Sequence, residues 1–252
     1  MREAAFDMLK KAQKNGAKTI VSGSDSTDHY DDYLKKGADA VILGEADQTL
    51  LELAQENSNW KEIPGIVYLK EGKIERTKPR NILKNLDDLT FPAWDLLNIA
   101  PYQNAWKKHG YFSINIATTR GCPFKCNWCA KPIYGNRYHS HSPKYIVGLI
   151  KLMKQHFEFD HIWFCDDIFG LKAEWIEHFS DEMKKASFRI PFKIQSRADL
   201  LIKKRTVEAL AQAGCDEVWI GAESGSQKIL DAMDKGTSIN QIKESTLLMK
   251  QV

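Results

Sequence analysis

The 252-residue chain predicts an α/β fold: a partial (β/α) barrel of four βα units over residues 111–252, preceded over residues 1–57 by half of an open α/β domain. Three observations carry this. From Tyr111 onward, four short β-prone runs are each followed by an amphipathic helical pattern. Helix and strand also alternate in the first 55 residues, but with only two strands. Between them, residues 58–110 have the texture of a connector, with a hairpin signal, a basic proline-containing stretch and clustered aromatics.

Taken in order, Ala5, Met8, Leu9 and Ala12 recur at helical spacing until Gly16. Thr19-Ile20-Val21 reads as a strand, residues 26–36 as a helix closed by Gly37, Ala40-Val41-Ile42-Leu43 as a second strand, and residues 49–54 as the start of a third helix. In the connector, residues 65–70 and 73–77 flank Glu71-Gly72, a β-hairpin signature. The aromatic stretch Phe91-Pro92-Ala93-Trp94 is expected to dock on a neighbour. The barrel strands are expected at 114–117, 162–165, 192–195 and 218–220. The first helix shows Ile146, Val147, Leu149, Ile150, Met153 and Phe157 on one face, with Ser142 as N-cap and Pro143 at the first helical position. The second carries Trp175, Ile176, Phe179 and Met183; the third carries Val207, Leu210 and Ala211 and closes at Gly214. The last starts at Ser238, with Gln241 completing a capping box. In such barrels, active sites lie at the C-terminal ends of the strands.

Composition narrows the class. A hydrophobic fraction of 43% and a charged fraction of 27% are those of an ordinary globular protein. The net charge of +3, dispersed along the chain, gives no argument for a nucleic-acid partner. No apolar run is long enough for a membrane helix, and no signal core is evident, so a cytoplasmic location is expected. Five cysteines, three of them clustered, argue against a disulfide framework and for metal binding or catalysis.

The cluster lies in Thr118-Thr119-Arg120-Gly121-Cys122-Pro123-Phe124-Lys125-Cys126-Asn127-Trp128-Cys129, directly after the first barrel strand. Three close thiolates can hold a four-iron cluster and leave one iron open for a small ligand. Gly121 allows close backbone approach. Two other readings use the same residues: zinc held with His139 or His141, and a Cys126/Cys129 redox pair. Cys165 and Cys215 stand alone and read as buried fillers.

The motif Cys122-x-x-x-Cys126-x-aromatic-Cys129 at the end of a first barrel strand resembles the signature of the radical S-adenosylmethionine superfamily. The resemblance implies a [4Fe–4S] cluster on Cys122, Cys126 and Cys129. Its open iron would bind S-adenosylmethionine, whose reductive cleavage yields a 5′-deoxyadenosyl radical. It places Trp128 near the adenine and Asp166 or Asp167 near the methionine ammonium. Ser196 and Arg197 fall near the carboxylate or ribose, and Glu223, with the adjacent Ser224, at the ribose. Read without the resemblance, the two acids cap a turn, Arg197 pairs with an acid and Glu223 is a turn residue. Arg137, Tyr138, His139 and His141 follow the cluster loop, either lining the site or solvated. The resemblance further implies a small-molecule substrate and an electron donor such as flavodoxin or ferredoxin.

The N-terminal region, with Ser22-Gly23-Ser24-Asp25 and Gly44-Glu45 after its two strands, resembles the C-terminal half of a Rossmann-like cobalamin-binding domain. Such a domain precedes the barrel in a branch containing methyltransferases and an anaerobic magnesium-protoporphyrin ester cyclase, which makes cobalamin a further expected cofactor. Ser22-Gly23-Ser24-Asp25 stands where that branch usually has Gly-Gly-Pro-His. Together with the missing half domain and the four βα units, this leads us to expect a fragment of a longer protein. The alternatives are a radical methylthiotransferase, which normally needs further cysteines upstream where none precedes Cys122, and a non-catalytic zinc-stabilised binding module.

Overall fold

The computed structural model describes residues 2–55, 59–131, 133–187 and 189–252. It divides into two compact units, Met1–Leu83 with Lys131–Gly135, and Lys84–Ala130 with Asn136–Val252. The expected boundary at 57–58 lies outside the described residues.

The first unit comprises α1 (Arg2–Lys14), β1 (Ile20–Ser22), α2 (Ser24–Asp28), α3 (Tyr30–Lys35), β2 (Ala40–Ile42), α4 (Asp47–Ala54), β3 (Ile66–Lys70) and β4 (Lys73–Arg76). Its sheet runs β1-β2-β3-β4, with β1 and β2 parallel and β3 antiparallel to β2. The hairpin expected in the connector thus completes this sheet, and two parallel strands do not stand alone. Glu71 and Gly72 turn it with φ of 50° and 75°, the positive pair that a two-residue hairpin needs. Alternation on β2 fills both faces: Val41 joins Phe6, Leu9 and Leu34, while Ala40 and Ile42 join Leu53, Ile63 and Ile66. On α1 the apolar seam is Phe6 and Leu9, and Met8 is 71% exposed. The helix expected over 26–36 is two short helices broken at His29.

The second unit contains α5 (Ala100–Trp106), β5 (Ser113–Ile116), β6 (Thr119–Arg120), β7 (His139–Ser140), α6 (Pro143–His156), β8 (His161–Phe164), α7 (Ala173–Lys185), β9 (Phe192–Ser196), α8 (Ala198–Leu201), α9 (Thr206–Ala213), β10 (Cys215–Ile220), α10 (Gln227–Ala232) and α11 (Ile239–Met249). Its main sheet is fully parallel in the order β10-β9-β8-β5, so consecutive strands are neighbours as in a (β/α) barrel. The helix-facing residues Ile114, Ile116, Ile162, Phe164, Phe192 and Ile194 meet Ile146, Ile150, Met153, Phe179 and Leu210 in one core. The alternate residues turn to the other face, where Lys193 Nζ lies 4.2 Å and 4.9 Å from the ring centres of Trp163 and Trp219. Both expected caps are present: Ser142 Oγ accepts from Tyr145 N at 3.1 Å, and Ser238 and Gln241 form the capping box.

The connector aromatics dock within this unit, Phe91 on Tyr145 at 4.7 Å and Trp94 on Phe157 at 5.7 Å. His141 completes that contact. It stacks on Tyr145 at 4.1 Å, and its Nδ1 lies 3.1 Å from Asp87 Oδ1. Burial holds its pKa below the ordinary 6.5, against the pull of Asp87. The folded protein therefore takes up a proton at His141 only at lower pH than the unfolded chain, which does so as pH falls through 6.5. The contribution of His141 to thermal stability is expected to drop as pH falls below that value, and His141→Asn should remove that contribution from a melting-temperature profile.

Candidate active site

A parallel sheet brings all its strand C-termini to one rim. Here they are Thr118 after β5, Asp166 after β8, Arg197 after β9 and Gly221 after β10. The cysteine loop rises from the first. Pairing of β6 with β7 pinches its base, Thr119 against Ser140 and Arg120 against His139. Gly121, at φ 80°, makes the left-handed turn into Cys122 that a side chain would oppose. The far side of the loop is fastened by Asn127, whose N donates to Met233 O at 3.1 Å and whose Nδ2 donates to Ala232 O at 2.7 Å.

Asp166 anchors the loop from below. Its Oδ1 accepts from Thr118 N at 2.7 Å and Thr119 N at 2.9 Å, and its Oδ2 accepts from Thr118 Oγ1 at 2.6 Å. The side chain is 2% exposed, and burial pushes its pKa up to about 6 against those three donors. Of the two acids expected at the methionine ammonium, Asp166 is thus committed to the loop backbone, and Asp167 is the exposed one.

The remaining rim residues form a chain of contacts. Arg197 is buried, its Nε donating to Asp199 Oδ1 at 2.9 Å and its Nη2 to Lys235 O at 2.8 Å. Its guanidinium stacks on Phe124, 3.6 Å from the ring centre, and Nη1 points at Cys126 Sγ over 4.0 Å. The acid-pairing reading of Arg197 is therefore present in Asp199. Lys235 Nζ pairs with Glu223 Oε1 at 2.9 Å. Glu223 has φ 61°, a strained conformation for a non-glycine residue. A Cβ on Gly221 would lie 2.8 Å from Lys235 Nζ and 3.0 Å from Glu223 Oε1, so a side chain there would push the ends of this pair away from the backbone. Ser196 is buried, and its carbonyl accepts from Gly221 N at 3.2 Å. Ser224 Oγ accepts from Ser226 N at 3.1 Å. Trp128 is 54% exposed beside Cys129.

All five cysteines carry thiols. Cys165, expected to be a buried filler, is exposed, because the residue after β8 turns away from the helix-facing core. Cys215 is half-buried, and burial pushes its thiol up to about 12. His141, one of the histidines weighed for zinc, faces Asp87. Tyr138 Oη accepts from Leu171 N at 3.2 Å, and burial pushes its pKa up to about 12. Among the described residues no three His, Cys, Asp or Glu side chains converge closely enough to hold a metal ion as they stand. Metal loading would draw the thiols together. The donor set fits an iron–sulfur cluster: three thiols within one short loop, braced at base and far side, with a guanidinium against one sulfur.

Sequence reasoning missed Lys235, Asn127 and Thr118. Lys235 had one local signal, its place before Gly236 in a turn where Asp234 and Gly236 both have positive φ. Asn127 had none, since its partner is 105 residues away.

Among the described residues no helix is long and apolar enough to cross a membrane. An uncharacterized methyltransferase of Pyrococcus horikoshii is 30% identical over 207 residues, 81% of this chain and 44% of the relative. The anaerobic magnesium-protoporphyrin IX monomethyl ester cyclase of Rubrivivax gelatinosus is 26% identical over 247 residues, 92% of this chain and 43% of the relative. The chain thus spans less than half the length of either. The fold is shared with the cobalamin-dependent S-adenosylmethionine radical enzyme OxsB, solved with aqua-cobalamin and S-adenosylmethionine bound. The TM-score is 0.79 at 21% identity, over 98% of this chain and 37% of that one. The model of the radical SAM superfamily matches residues 116–252, the cysteine loop and all the rim just described. The chain belongs to the radical S-adenosylmethionine superfamily.

Proposed function

We propose that this chain is the cofactor-bearing part of a cobalamin-linked radical methyltransferase or cyclase acting on a small molecule. The observation that carries this is the Cys122-x-x-x-Cys126-x-x-Cys129 loop, pinched at its base and braced across the rim of a parallel sheet. When bound, a [4Fe–4S] cluster supplies the electron that splits S-adenosylmethionine into methionine and a 5′-deoxyadenosyl radical.

The chain's own residues bind and orient. Cys122, Cys126 and Cys129 would hold iron. Trp128 would cover the adenine with its exposed indole. Asp167, exposed beside the loop-anchoring Asp166, would take the methionine ammonium. Glu223, already fixed by Lys235, would accept from the ribose hydroxyls, with Ser196 and Ser224 beside it. On the open face of the sheet, Trp163, Lys193 and the 48% exposed Trp219 would form a wall for substrate. Cobalamin would meet the first unit at the C-terminal ends of β1 and β2, near Ser22-Gly23 and Gly44-Glu45. There Asp25 is already paired with Arg2 and Tyr33, as Glu45 is with the Leu83 amide. The names of the two relatives support the methyltransferase-or-cyclase reading.

The test is anaerobic reconstitution with iron and sulfide, then incubation with S-adenosylmethionine and dithionite, with 5′-deoxyadenosine measured by mass spectrometry. Formation of 5′-deoxyadenosine that requires both additions is expected. A protein that takes up stoichiometric zinc, assembles no cluster and yields no 5′-deoxyadenosine would overturn the proposal.

A further inference from the structure

We propose that Arg197 is a positioning residue for the cluster: it donates a hydrogen bond to the Cys126 sulfur and thereby raises the cluster's reduction potential, and it does not touch S-adenosylmethionine. This rests on the reading that Cys126 is an iron ligand.

The guanidinium has little surface left for a ligand. Arg197 is 4% exposed. Phe124 covers one face of its plane at 3.6 Å. One edge is taken by Asp199 at 2.9 Å and another by the Lys235 carbonyl at 2.8 Å. The third nitrogen, Nη1, faces Cys126 Sγ. At 4.0 Å that contact is long, as suits a neutral thiol, which is a poor acceptor. An iron-bound thiolate is a far better acceptor and would draw the N–H in, because charge-assisted hydrogen bonds are shorter and stronger.

The surroundings keep this charge for the sulfur. The other buried cation of the rim, Lys235, is matched by Glu223 at 2.9 Å. Asp199 holds Arg197 through Nε, and the Nη1 side of the fork is turned to the loop. The stack on Phe124, two residues before Cys126, ties the guanidinium plane to the same loop, so the donor stays with the ligand. Reduction adds negative charge to the cluster. A cationic donor on a ligand sulfur stabilises the reduced state more than the oxidised one, and so raises the potential.

The measurement is an anaerobic redox titration of the reconstituted wild type, Arg197→Gln and Arg197→Lys, followed by electron paramagnetic resonance. Iron content and the S-adenosylmethionine concentration needed to change the signal are read from the same samples. Arg197→Gln is expected to keep wild-type iron, shift the midpoint to more negative potential and leave S-adenosylmethionine affinity unchanged. Arg197→Lys, which keeps the charge but loses the fork, should shift less in the same direction. Should the glutamine variant fail to fold, Phe124→Leu, which loosens the stack and keeps Arg197, should also shift the midpoint downward. An unchanged midpoint at full iron content, with affinity for S-adenosylmethionine weakened about tenfold or more, would overturn the proposal and make Arg197 a cosubstrate contact. A wild type that assembles no cluster fails at the earlier step and overturns the iron-ligand reading itself.

Discussion

Replacing Cys122, Cys126 and Cys129 together by alanine is expected to abolish cluster assembly, taking bound iron from about four per chain to background. The loss should be complete, because no substitute donor set stands by. Outside this loop the described residues offer no group of three His, Cys, Asp or Glu side chains that could hold a metal ion, and His141 is held by Asp87 and Tyr145. Cys165→Ala and Cys215→Ala should keep full iron. Cys165 lies past the end of β8 with its thiol 3.6 Å from Ile116 O, and Cys215 opens β10 at the opposite end of the strand from the rim. Iron and sulfide analysis of the five single variants and the triple variant checks this; iron retained by the triple variant would place the cluster elsewhere.

The second large effect is expected at Asp166, through folding. Asp166→Ala leaves Thr118 N, Thr119 N and Thr118 Oγ1 buried without their acceptor. Each such loss costs about 1–3 kcal/mol, so a destabilisation of at least about 3 kcal/mol is expected in urea unfolding. Asp166→Asn should be far milder. An amide oxygen can take both backbone donors, and the Thr118 hydroxyl can rotate to accept from the amide nitrogen. The same pair reveals the charge. The folded pKa of about 6 lies above the ordinary 3.8, so between those values the unfolded chain loses its proton first and stability falls as pH rises. The fall amounts to something on the order of 3 kcal/mol, complete once pH passes the folded pKa. Unfolding of wild type and Asp166→Asn compared from about pH 4 to about pH 7 should show that slope in the wild type alone. Equal slopes would mean that Asp166 does not titrate as a buried group.

Local chemistry made much of the fold legible. Glu71-Gly72 announced a hairpin, Ser142-Pro143 a helix start, and Ser238 with Gln241 a capping box, and each feature depends only on residues within a few positions. The parallel order of β5, β8, β9 and β10 followed from helices alternating with strands. What escaped was set by distant partners. Met8 and Phe6 both fit a helical seam, and only the packing of Tyr33 and Val41 chose Phe6. The hairpin's attachment to β2 left no mark in its own residues. At the rim, the cysteine spacing was explicit because one loop supplies all three thiols. Asp166 and Arg197 were singled out, but their pairings with distant residues were not. Those partners lie on Thr118, Cys126 and Lys235, each more than 30 residues away in the chain. Polar strand ends announce a site; which of them face a ligand and which hold the walls is decided by tertiary contacts that no local pattern encodes.

The most direct test of the central claim is electron paramagnetic resonance of the reduced, reconstituted protein with and without S-adenosylmethionine. A reduced four-iron signal that changes on adding S-adenosylmethionine, and is absent from the triple cysteine variant, is the predicted result. A protein that binds zinc and gives no such signal, or a cluster whose signal ignores S-adenosylmethionine, would contradict it.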